Sequence, residues 1–177
     1  MGFIDAIKTC FGKYVTFSGR ASRAEYWWFL LFILIGGLLA GLLDMVIFAT
    51  PDSPEGEVSD TNGPINSIFT LLTFLPLLAA AWRRMHDAGK PGKLLLLPLV
   101  VTIGMMFLLT LGLIGAGGIE RAAGDPATGP VLAIGTIGIF VMLALQLGLS
   151  ILILWWLTRA SQPGTNEYGP NPHEVTP

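Results

Sequence analysis

Four long apolar runs divide the chain: Trp27 to Ala49, Ile65 to Trp82, Leu94 to Ala116 and Val131 to Leu157. Each holds about 18 residues or more, and at about 1.5 Å per residue each reaches across a hydrocarbon layer of about 30 Å. Strand-type alternation is absent, and a backbone in lipid must satisfy its own hydrogen bonds, so the runs are expected as helices. The pattern therefore predicts an all-α integral membrane four-helix bundle with spans at about 23–49, 65–88, 94–116 and 131–157.

The flanks read differently. In residues 1–18, Phe3, Ile4, Ile7, Cys10, Phe11, Tyr14 and Val15 fall on one helical face, with Asp5, Lys8, Thr9 and Lys13 opposite. That stripe is too short to span and predicts an amphipathic interfacial helix, either lying among head groups or packed on the ends of the spans. Residues 161–177 form a turn-rich tail marked by Pro163-Gly164 and Gly169-Pro170. The chain thus parses into 1–18, a four-span membrane domain over 19–160, and the tail.

Composition agrees with the pattern. The chain is 53% hydrophobic and 12% charged, and a soluble domain carries about 25% charged residues. What charge remains is asymmetric. Lysine and arginine number four before the first span, none in 50–64, four in 83–93, one (Arg121) in 117–130 and one (Arg159) in the tail. The positive-inside rule then puts both termini in the cytoplasm and the acidic loop "TPDSPEGEVSDTNGP" outside. No cleavable signal is expected, because charges interrupt the first 26 residues. Cys10, the single cysteine, is expected as a free cytoplasmic thiol. A myristoylation signal fails at Ala6.

Within the spans, Ser22 and Glu25 have capping-box spacing, which starts the first helix near Arg23. Tyr26, Trp27 and Trp28 suit an aromatic belt. "GGLLAG" offers Gly36, Gly37, Ala40 and Gly41 for close helix approach. Asp44 belongs near the outer boundary, either simply interfacial or facing a polar cavity. Pro76 and Pro98 predict kinks in spans two and three. Spans three and four carry no charge; Gln146 is their main polar residue, which argues against an ion pathway.

The candidate chemistry lies in "RRMHDAGKPG". Helix two should run to Ala88 and stop at Gly89, with one carboxylate, Asp87, bridging Arg83 and Arg84. A hairpin between spans one and two would bring Arg20, Arg23 and Glu25 to the same membrane face as Arg83, Arg84, His86 and Asp87. The tail could fold over them through Asn166, Tyr168 and Asn171. Guanidinium excess at head-group level suits phosphate, so Arg20, Arg23, Arg83, Arg84, His86 and Asp87 are the candidate site for an anionic lipid head group. Ser22, Glu25, Tyr26, Trp27, Gly89, Asn166, Tyr168 and Asn171 are the expected supports.

Four other readings compete with it. Snorkelling arginines that simply anchor topology need no ligand. A non-catalytic scaffold or accessory protein would pack its small-residue faces on a second copy or another membrane protein. An oligomeric small-molecule transporter subunit, or an interfacial enzyme with His86 as base, has less support. Neighbouring helical positions point about 100° apart, so Asp87 is badly placed to orient His86. No cofactor signature, zinc-ligand spacing or nucleic-acid motif is present, and the expected partners are the phospholipid membrane, an anionic lipid and a protein.

Three blocks carry a family resemblance: "FSGRASRAEYWWF", "RRMHDAGKPG" and "PGTNEYGPNP". From about Phe11 to Pro172 the chain resembles the bacterial inner-membrane proteins of the domain of unknown function 805 family. Its middle block commonly reads arginine, arginine, leucine, histidine, aspartate, then glycine, serine, glycine and tryptophan. Here Met85 takes the leucine position, and Lys90, Pro91 and Lys93 depart from the usual ending. The resemblance implies four spans in a bacterial plasma membrane and no settled activity.

Overall fold

Five helices make up the fold, in a computed structural model that describes residues 1–48, 63–119 and 128–174, with side chains omitted over 112–136. They are α1 (Phe3–Gly12), α2 (Arg23–Phe48), α3 (Pro64–Asp87), α4 (Leu97–Ile119) and α5 (Thr128–Thr158). No strand occurs among the described residues. The last four helices are each long and apolar enough to cross a bilayer. The acidic loop and Arg121 lie outside the described residues, as does the very end of the tail. The chain separates into two units, one of Met1–Gly92 with the tail from Arg159, the other of Lys93–Thr158.

In the first unit α2 and α3 run antiparallel and meet through rings and a glycine. Phe32 and Phe69 lie 5.8 Å apart, and the Phe69 ring presses so close to Gly36 that a methyl group there would overlap it. Outward residues such as Leu34, Leu38, Val46 and Leu71 stay exposed, as an all-round apolar helix requires when lipid is its solvent. Asp44 has a specific partner. It is 5% exposed and accepts from the backbone N–H groups of Ile65 at 3.0 Å and Asn66 at 2.7 Å. A carboxylate from α2 thus caps the N-terminus of α3, where free N–H groups and the helix dipole favour negative charge.

Helix α1 packs on this hairpin. Phe11 meets Phe29 and Phe32 edge-on at 5.5 and 6.0 Å, and Phe3 meets Trp28 at 6.0 Å. The face it buries holds Ala6 and Cys10, whereas Ile4 and Val15 of the expected stripe are each 63% exposed. Just beyond α1, the Tyr14 hydroxyl donates to the Leu72 carbonyl at 2.8 Å. Pro76 sits four residues on and has no N–H to offer that carbonyl. Tyr14 supplies the donor that the proline removed.

In the second unit α4 packs along α5. A 3-10 turn over Gly92–Leu96 precedes α4, so Pro98 falls in its first turn, where no N–H is needed, and not at a mid-span kink. The Thr102 and Thr110 hydroxyls donate to Pro98 and Met106 carbonyls of their own helix at 2.8 and 2.9 Å, which hides them from lipid.

Candidate functional site

The three sequence blocks do meet, and all within the first unit. Helix α3 continues its charged last turn to Asp87. Gly89 then takes φ +68°, a left-handed conformation that ends the helix. Its Cα stands against Gln162, so a side chain there would be strained and would also strike the tail. The Asp87 carbonyl accepts from the Gln162 N–H at 2.9 Å, which starts the tail's path across the helix end.

Two ion-pair groups result, and neither is the expected Arg83–Asp87–Arg84 bridge. Arg84 does reach Asp87 three residues on, at 2.5 Å to Oδ2. The second guanidinium on Asp87 is Arg20, whose Nε donates to Oδ1 at 2.9 Å. Arg83 turns the other way, because positions 83 and 84 diverge by about 100°. It donates to Glu25 Oε1 at 2.8 Å and to the Thr16 carbonyl at 2.6 Å. Glu25 keeps half of its capping box. Its N–H donates to Ser22 Oγ at 3.1 Å, while its carboxylate is directed to Arg83.

The tail closes the Asp87 group. Arg20 donates to the carbonyls of Gln162 at 2.5 Å, Gly164 at 2.8 Å and Gly169 at 3.3 Å. Arg84 donates to the Arg159 carbonyl, and Ser161 Oγ to Asp87 Oδ2 at 2.6 Å. Every partner is buried: Arg20 is 7% exposed, Arg83 1%, Arg84 and Asp87 0%, Glu25 3%. Charges this deep are tolerable only when paired and hydrogen-bonded, and here they are. The exception is Arg83 Nε, which is enclosed without a partner among the described residues. Arg23, the fourth arginine of the candidate site, is exposed and belongs to none of these three ion pairs.

His86 stands apart from the acid beside it. Its Nδ1 lies 3.1 Å from the Gly19 carbonyl, which can only accept, so Nδ1 carries the proton. Its ring stacks on Tyr168 at 3.8 Å with 4° between the planes. Asn166 donates to the His86 carbonyl at 3.0 Å and accepts from the Tyr168 N–H at 2.9 Å, which sets that ring in place. Asn171 donates to Glu174, whose carboxylate also accepts from the Gly164 N–H at 2.8 Å. The Gly164 contact first, then Asn171, holds Glu174 below the usual carboxylate range. Tyr26 is buried against Trp27, at 5.3 Å between rings. Burial first, and then the Glu25 charge, pushes the Cys10 thiol up to about 12. Among the described residues no group of three or more His, Cys, Asp or Glu could hold a metal ion.

Several contributors were not legible beforehand. Lys13, Thr16, Gly19, Gln162, Gly164, Gly169 and Arg159 act through backbone carbonyls, for which side-chain identity is no guide. Ser161 follows the last span directly, and its small polar side chain was a weak signal at best.

With this geometry in view, comparison with known proteins is specific. The family model described as Protein of unknown function (DUF805) matches residues 14–122. The chain belongs to this family. It is 36% identical over 118 residues to Inner membrane protein YhaI of Escherichia coli (strain K12), covering 66% of this chain and 91% of that one. It is 33% identical over 119 residues to Inner membrane protein YhaH of the same strain, covering 67% and 93%. No solved structure matches. Named inner-membrane relatives and four helices able to span a bilayer make this member of the family a multi-pass inner-membrane protein.

Proposed function

We propose that the chain is a non-catalytic membrane scaffold or accessory protein, with both termini on the cytoplasmic side. The observation that carries this reading is how the charged motifs are used. Arginines, carboxylates and tail carbonyls bind one another in a closed, buried network. Such a network fixes α1, α2, α3 and the tail as one piece. It also holds His86, whose Nδ1 proton lies on the Gly19 carbonyl and whose ring stacks on Tyr168.

A scaffold presents faces to a partner, and the outward apolar surfaces of the spans are available for a second copy or another membrane protein. Chemical cross-linking in native membranes tests this. A discrete protein adduct is expected; migration as a monomer at every cross-linker dose would count against the scaffold. Reporter fusions at both termini test orientation, with cytoplasmic signals expected from each. The positive charge left over at the cluster supports a second role, contact with anionic lipid head groups.

A further inference from the structure

The head-group reading points to the buried arginines, yet each is already paired with a carboxylate. Of the candidate site's four arginines the exposed one is Arg23, in the first turn of α2. It stands close enough to Arg84 to act on it electrostatically. Around it, Arg20, Arg83 and Arg84 face only Glu25 and Asp87 as paired carboxylates. Among the described residues, the ion pairs of these four arginines leave two positive charges uncancelled, and Glu174 in the tail offsets part of this through Arg20.

One turn along α2 from Arg23 begins an apolar groove of about 360 Å³, lined by Trp27, Trp28, Leu30, Leu31 and Leu34. Its walls are indole and leucine, and Leu31 and Leu34 are exposed at 38% and 62%. Tryptophan prefers head-group depth, and an arginine beside it reaches phosphate while its stem lies along apolar surface. We propose that Arg23 and this groove form a binding site for one anionic phospholipid, with its phosphate on the Arg23 guanidinium and an acyl chain along Trp27, Trp28, Leu31 and Leu34. The guanidinium fork matches phosphate geometry, and the excess charge of the cluster behind it selects an anionic lipid over a zwitterionic one. The site rests on the head-group reading and moves it from the buried arginines to the exposed one.

The test is native mass spectrometry of the full chain released from nanodiscs of phosphatidylglycerol or of phosphatidylethanolamine. Wild type should retain phosphatidylglycerol preferentially, and Arg23→Ala should lower that retention about fivefold, the effect of one basic residue near a charged surface. The double change Leu31→Ala and Leu34→Ala, at exposed positions, should lower retention of both lipids alike. Equal retention of the two lipids by wild type would overturn the head-group reading itself. A preference for phosphatidylglycerol that survives Arg23→Ala, or retention untouched by the leucine changes, would keep that reading and overturn this site.

Discussion

The α2/α3 hairpin and the α4/α5 hairpin are built from similarly greasy helices, yet they are held by different means. The first is fastened at both ends by charge: Asp44 caps α3 at one end, and Glu25 grips Arg83 at the other. Helix α1 and the tail add to that second end. The second hairpin has no ionisable residue in either helix. Thr102 and Thr110 bond their own helix, and Gln146 Oε1 is enclosed without a partner among the described residues. Apolar contact gives little preference for one helix pairing over another when lipid is equally apolar. Directional polar contacts therefore set the geometry of the first hairpin, whereas the helices of the second have no ionisable group to add to their packing.

The largest expected effect breaks this contrast at its strongest point. Asp87→Ala leaves Arg20 and Arg84 buried without their carboxylate, and removing one partner of a buried pair costs about 3–5 kcal/mol. Thermal unfolding in mild detergent should show a large drop in Tm. Gln146→Leu in the second hairpin should be neutral or slightly stabilising by the same measurement. Equal losses in the two variants would erase the distinction.

Packing gives the next effect. Gly36→Ala drives a methyl into the Phe69 ring, and overpacking costs about 1–3 kcal/mol. Gly148→Ala in α5 meets open space and should leave Tm unchanged. Tyr14→Phe sharpens the comparison further by baring the Leu72 carbonyl beside Pro76. Hydrogen bonds inside membranes are worth about 0.6–1.7 kcal/mol, so a modest Tm loss is expected, and none would mean that this carbonyl finds another donor.

The smallest effect is read as chemistry. Folding raises the Cys10 pKa from 9.0 to about 12, so the folded protein binds the proton more tightly. Its contribution to stability is complete below pH 9 and is lost as pH climbs towards 12. At pH 8 the thiol should react slowly with maleimide until the protein is denatured, since thiolate is the nucleophile. Rapid labelling of folded protein would show α1 detached from α2.

Much of the fold could be read from residues alone, for a physical reason. Length and apolarity decide whether a segment can cross a bilayer, and both are local properties. Gly89 and Pro91 marked the end of α3 because each acts on its own backbone. Pro98 was misplaced within its span because a 3-10 turn delays the start of α4. The candidate site was legible in membership and not in wiring: Arg20, Arg83, Arg84, Glu25 and Asp87 do gather, but Arg20 and not Arg83 shares Asp87 with Arg84.

Hydrophobic spacing and charge type along the chain were enough to specify four spanning helices and to bring the basic blocks into question together. Only the packed structure decided which guanidinium meets which carboxylate, that Asp44 caps a neighbouring helix, and that Tyr14 repairs what Pro76 removes. Apart from the local Arg84–Asp87 pair, those choices join residues 21 to 67 positions apart, and some use backbone carbonyls that every residue carries alike. No local pattern encodes them.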